Sequence, residues 1–318
     1  MGKASPYVYG HFKEYSLRDG KRIRSLLFII SYLGYGKNPA PDHLSSAVSF
    51  ELIQSFILAH DDIVDRSASR RCKPTLHKKI ENDIRGSSRF EGRDVAMVIG
   101  DIMFALGVKA FLSVKEDPAR KEKALHYLLS SASYTGCGEI NELRHGNSKI
   151  SGISLNDILK VYDQKTGNYT FTTPLLMGAA LAGAPKKEMT TLSALGKTLG
   201  RAFQIYDDLI DIFGNERSSG KTGFTDLKES KKTFLVRLAY ENSNAKVKKE
   251  IDAILRAQNI GKKEQDKLKL IMTKSNVKIK AQTVIDGLVK KAEELIGQLK
   301  MKKRSKRMLL SMIDEIFV

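Results

Sequence analysis

The last of the seven prolines is Pro185, and more than a hundred residues follow it without another. Inside a helix a proline removes a hydrogen bond and collides with the preceding turn. So long a stretch without one favours long helices over strand-and-turn architecture. The apolar pattern agrees. Ile53, Phe56, Ile57 and Val64 recur at helical spacing, as do Leu125, Leu128 and Leu129, and again Leu195, Leu199 and Phe203. Alternating strand patterns of any length are missing. Breakers fall between the helical stretches, at Gly34–Asp42, Gly86–Gly92, Gly183–Pro185 and the glycine-rich Gly214–Gly223. The chain reads as all-α: ten or more helices in a single bundle-like domain over residues 1–318. At 42% hydrophobic and 28% charged residues, it carries enough apolar surface for a large core.

Several classes are disfavoured. Cys72 and Cys137 form neither a metal-ligand spacing nor a disulfide framework, and read as free thiols of a reducing cytosol. The first fifteen residues lack the apolar stretch of a signal peptide. The apolar runs Leu26–Leu33 and Pro174–Ala184 are too short to span a bilayer. A cytoplasmic protein with no transmembrane segment is expected. The formal net charge of +18 points to anionic partners. The lysines from Lys246 to Arg307 alternate with Leu, Ile and Val at helical spacing, the pattern of a solvated helix face. Aromatics do not interleave with them as a base-stacking platform requires, so no nucleic acid is expected.

The chemistry lies in a repeated acidic motif. His60-Asp61-Asp62-Ile63-Val64-Asp65 has the form DDxxD, and a helix puts Asp61 and Asp65 one turn apart on one face. Carboxylates this close raise one another's pKa, and a cation relieves them. One such motif alone is no more than an acidic helix end. A second occurs in Phe203-Gln-Ile-Tyr-Asp207-Asp208-Leu-Ile-Asp211, where Gln204, Asp207, Asp208 and Asp211 share a face. Both are set in apolar sequence, where unpaired acids are costly to bury. Oxygen-only ligands at this density suit Mg²⁺. Arg70 and Arg71 follow the first motif and Lys221 and Lys231 the second, while Lys21 and Arg24 lie near the start. Acidic triads among basic clusters suit polyphosphate esters.

In order and spacing these elements resemble the trans-prenyltransferases, the polyprenyl diphosphate synthases, over nearly the whole chain. The matching segments are GKRIR at 20–24, DDIVD at 61–65, RRCKPTLH at 70–77, GD at 100–101 and GEINEL at 138–143. They continue with KTGNYTF at 165–171, FQIYDDLID at 203–211 and GKTGFTDLKESKKT at 220–233. The resemblance implies the isoprenoid synthase type of helical bundle and a homodimer. It implies that Lys21, Arg24, Gln54 and Arg71 hold isopentenyl diphosphate. Arg70, Lys165, Thr166, Gln204, Lys221 and Lys231 would hold the allylic diphosphate (dimethylallyl, geranyl or farnesyl). Asp61, Asp62, Asp65, Asp207, Asp208 and Asp211 would bind three Mg²⁺ ions, with Mn²⁺ as a substitute. The implied reaction ionises the allylic C–O bond, stabilised by the metal and the cations, and adds isopentenyl diphosphate head to tail. Lys165, Thr166 and Gln204 would stabilise the allylic cation.

The chain departs from the family pattern at Asp19, Ser25, Cys72, Glu139, Glu142 and Arg201. At Cys72 a glycine is usual, a residue that serves backbone conformations Cys resists. Phe56, five residues before Asp61, is the tunnel floor by resemblance, whereas a helical wheel puts Ile57 below Asp61. The C20 product, geranylgeranyl diphosphate, is expected as in archaeal-type enzymes. Farnesyl (C15) or longer-chain synthesis and a terpene cyclase of the same fold are the alternatives.

Overall fold

The computed structural model of the chain describes residues 5–36, 41–70, 72–84, 89–214, 224–257 and 260–317. The all-α expectation is met. The helices are α1 (Pro6–Ser16), α2 (Ile23–Tyr35), α3 (Pro41–Val64), α4 (Leu76–Asp83), α5 (Gly92–Leu112), α6 (Pro118–Gly146), α7 (Leu155–Tyr162), α8 (Thr173–Leu181) and α9 (Lys186–Phe213). Six more cover Thr225–Lys228, Phe234–Glu241, Ala245–Leu255, Lys262–Lys274, Val277–Gln298 and Lys303–Phe317. Local chemistry sets many of the ends. Asp117 accepts from the Arg120 N–H ahead of Pro118, and Ser154 and Asp157 form a capping box on α7.

The main core joins α2, α3, α8 and α9 around Phe28, Phe50, Tyr169 and Phe171, and reaches Ile316 in the last helix. Every residue of α8 is buried, which is why its sequence is apolar without a polar face. A second cluster lies under Ile205, Leu209 and Ile212 of α9, and a third, with Ala59 and Met103, under the end of α3. Both acidic motifs are therefore set at the C-terminal ends of long helices rooted in the core.

Three features escape the periodicity. Ser69–Arg70 and Lys73–Pro74 pair as a two-residue antiparallel ladder, too short to leave a pattern of its own. Asp163–Thr172 winds as a π-helix between α7 and α8. And α5 is long and apolar enough to cross a membrane by length and composition, although charged residues interrupt its apolar run. It packs along α3, burying Ile99, Met103 and Phe111. A Cβ on Gly107 would come within 2.6 Å of Ile53, so the close approach requires glycine there. Its other side leaves Met97, Val98 and Leu112 exposed.

Candidate active site

In the first motif Arg70 returns to the helix end it follows. The ladder turns through Cys72, whose φ of 59° is left-handed, the conformation in which glycine is at ease. Arg70 thereby donates from Nη2 to Asp61 Oδ2 at 2.9 Å and from Nε to Asp62 Oδ1 at 2.5 Å. Asp62 is fully buried, and its Oδ2 accepts the Tyr15 hydroxyl at 2.9 Å. Asp61 also lies 3.1 Å from Lys165 Nζ, and Asp65 accepts from Lys231 Nζ at 2.8 Å.

Lys165 and Thr166 sit in the π-helical segment. There Gly167 lies against α9 so closely that a Cβ on Gly200 would meet Gly167 Cα at 2.4 Å. Lys165 Nζ lies 2.6 Å from Glu139 and 2.5 Å from Glu142, both of α6. The adjacent Arg201 makes two 2.7 Å bonds to Asp163, so that departure from the family pattern has a partner.

In the second motif Asp208 is the buried middle carboxylate. The Tyr162 hydroxyl donates to its Oδ2 at 2.5 Å and accepts the Phe234 N–H at 2.8 Å, and Gln204 adds a further hydrogen bond. Asp211 accepts the Thr225 N–H on Oδ1 at 3.1 Å, fixing the segment that leads to Lys231. Lys231 closes the circle. It lies 2.6 Å from Glu229 and 3.9 Å from Asp226, and Asp226 feels the charges of Asp207 and Asp211.

The electrostatics follow from this packing. Burial opposes the charge on Asp61, but the Lys165 and Arg70 cations overcome it and hold its carboxyl below the usual range. Burial pushes Asp62 up against the pull of Arg70. It pushes Asp208 well up, helped by the charge on Asp226, and it takes Asp226 itself to about 7 despite Lys231. For Lys165 and Lys231 burial favours the neutral form, yet the surrounding carboxylates keep both firmly protonated. Among the described residues no three acidic or imidazole groups converge as a preformed metal site. The donor set still fits Mg²⁺, which takes one or two carboxylates and completes its shell with water and phosphate oxygens.

A sequence profile of the polyprenyl synthetases matches residues 6–273. The chain belongs to the polyprenyl synthetase family. It is a prenyltransferase, an isoprenyl diphosphate synthase. It is 29% identical over 258 residues to a short chain isoprenyl diphosphate synthase of Methanocaldococcus jannaschii, covering 81% of this chain and 73% of that one. It is likewise 29% identical over 241 residues to a farnesyl diphosphate synthase of Bacillus subtilis, covering 73% and 76% of the two chains. A geranylgeranyl pyrophosphate synthase of Corynebacterium glutamicum, solved with isoprenyl diphosphate and magnesium, shares the fold. Its TM-score is 0.88 at 24% identity, over 98% of this chain and 90% of that one.

Within this polyprenyl synthetase the residues singled out in the sequence fall into groups. Asp61, Asp62, Asp65, Arg70, Lys165 and Lys231 form one connected network. Gln204 and Asp208 are bonded to each other, with Asp207 and Asp211 beside them on the same helix. Arg71 and Lys221 lie outside the described residues. Of the set assigned to isopentenyl diphosphate, three members lie among the described residues. Gln54 lines a cavity of about 20 Å³ with Arg18, Arg22, Glu51 and Arg70, and its Oε1 accepts no hydrogen bond among the described residues. Lys21 is exposed, and Arg24 bonds Thr170 and lies over the Tyr169 ring. Phe56 packs on Phe104 of α5 with ring centroids 5.2 Å apart, and Ile57 packs on the main core. Sequence reasoning missed Tyr15, Tyr162, Asp226 and Glu229. Asp226 and Glu229 stand inside a quoted motif, but no local pattern distinguishes them. The tyrosines meet their aspartates only through the fold.

Proposed function

We propose that the chain condenses isopentenyl diphosphate head to tail with dimethylallyl, geranyl or farnesyl diphosphate, giving geranylgeranyl diphosphate as product. The observation that carries this reading is the reach of Lys165 and Lys231 to Asp61 and Asp65. Cations from two distant segments join the neighbouring Arg70 on one triad, an arrangement that suits a metal diphosphate. Asp61, Asp65, Asp207 and Asp211 would hold three Mg²⁺ ions, or Mn²⁺, with Asp62 and Asp208 behind them. When bound, the metal supplies charge neutralisation of the leaving diphosphate. Arg70, Lys165, Lys221 and Lys231 bind the allylic diphosphate and stabilise the charge that develops on it. Lys21, Arg24, Gln54 and Arg71 bind isopentenyl diphosphate, with Arg22 beside Gln54 at the cavity. The Thr166 hydroxyl and the Gln204 amide oxygen would stabilise the positive charge that develops on the allylic carbon.

Residues 1–318 act as one domain, a reading supported by a main core that runs from Ile23 to Ile316. A homodimer is proposed through α5 and α6, whose Met97, Val98, Leu112, Ile140 and Leu143 are exposed. That face would be covered by a second copy rather than by lipid, in a cytoplasmic protein. Product length tests the reading. Phe56→Ala removes the ring above Phe104, and products longer than C20 are expected by chromatography. If instead Ile57→Ala alone lengthens the product, Phe56 is not the floor. A wild-type product of C15 would overturn the C20 reading.

A further inference from the structure

The end of the bundle far from the aspartates is a basic face. The eight residues 300–307 hold six basic residues and no acid. The fold gathers this segment with others. The Lys300 N–H donates to Glu188 Oε2 at 2.7 Å and the Lys302 N–H to the Gly34 carbonyl at 2.9 Å. These bonds pin the turn before the last helix against the start of α9, where Lys186 and Lys187 are exposed. Glu188, the acid in that first turn, is buried and already taken by Lys300 and the Tyr35 hydroxyl. Lys186, Lys187, Lys300, Lys303, Arg304 and Arg307 are all exposed, and among the described residues none has an ion-pair partner.

Neither the fold nor the known chemistry uses these charges. Lys186 and Lys187 in α9, and Lys303 and Arg304 in the last helix, stand in first turns, where the helix dipole disfavours cations. Lys187 lies twenty residues before Asp207 on one unbroken helix, roughly 30 Å away, too far to touch a substrate diphosphate.

We propose that this face docks the enzyme on an anionic membrane surface. The inference rests on the isoprenyl diphosphate synthase activity and not on the C20 product. The enzyme makes an amphiphile whose apolar tail leaves water for a bilayer, and a cluster of six exposed cations is the kind of surface that anionic headgroups attract. Nucleic acid is the weaker partner. The exposed aromatics Tyr7, Tyr9, Phe90 and Tyr134 lie on other segments, away from this patch and unable to stack bases beside it.

The test is co-sedimentation of the full chain with phosphatidylcholine vesicles, with and without phosphatidylglycerol. Binding is expected only with phosphatidylglycerol, and salt should weaken it. The double substitution Lys303→Glu with Arg304→Glu should weaken binding roughly a hundredfold. It should leave turnover of short soluble substrates unchanged. Glutamate suits a first helical turn, so the melting temperature should hold or rise. The proposal is overturned if the wild type ignores phosphatidylglycerol vesicles at low salt, or if the double variant binds as tightly as wild type. It is also overturned if the patch binds RNA while vesicles stay free. Loss of turnover in a wild type that still binds vesicles would count against the assigned reaction alone.

Discussion

In the first motif the buried middle carboxylate, Asp62, is held by a cation and a hydroxyl, Arg70 and Tyr15. In the second, Asp208 is held by a hydroxyl and an amide, Tyr162 and Gln204. Burial pushes both carboxyls up, but Arg70 pulls Asp62 back, whereas the charges of Asp226 and Asp207 push Asp208 further. One five-residue pattern thus has two supports. The first is electrostatic and ties the motif to the chain that follows it. The second runs through one phenol that also accepts the Phe234 N–H, joining α9 to the segment that presents Lys231.

The largest effect should ignore that difference. Asp61→Ala and Asp207→Ala should each lower turnover by roughly three orders of magnitude, in steady-state assays, with the fold intact by circular dichroism. If only one of them matters, the motifs do not share a step.

The tyrosines separate the two supports. Tyr162→Phe leaves Asp208 without its closest donor and Phe234 without its acceptor, and should cost about 2–3 kcal/mol in urea unfolding. Tyr15→Phe leaves Asp62 still bonded to Arg70 and should cost about 1 kcal/mol. Equal losses would break the comparison.

The pH dependence sharpens it. Asp226 has its folded pKa raised from 3.8 to about 7, so the folded chain holds this proton more tightly than the unfolded one. Its contribution to stability is complete below about pH 4 and is lost as pH rises through about 7. In chelator, Asp226→Asn should flatten the fall in melting temperature across that window. An unchanged slope would place the titration elsewhere.

The smallest effect concerns Cys72. Glycine adopts its φ of 59° without strain, so Cys72→Gly should gain about 1 kcal/mol in urea unfolding. A loss would mean that the thiol's own contacts outweigh the backbone.

The helices were legible in the sequence because buried faces leave a period, as in Ile53, Phe56 and Ile57 of α3. The acidic triads were legible because helical spacing joins residues four apart. Two features were not. The Ser69–Pro74 ladder is too short to carry alternation, and the π-helical turn carrying Lys165 depends on packing against Gly200. Tyr15 and Tyr162 were hidden for another reason. They lie 47 and 46 residues from their aspartates, and only the fold brings each pair together.

The most direct test is turnover by the purified chain with isopentenyl and farnesyl diphosphates, in Mg²⁺ and in excess chelator. Metal-dependent condensation predicts geranylgeranyl diphosphate in the first and no condensation in the second. Full turnover in chelator, or no condensation in Mg²⁺ with any allylic starter, would contradict it.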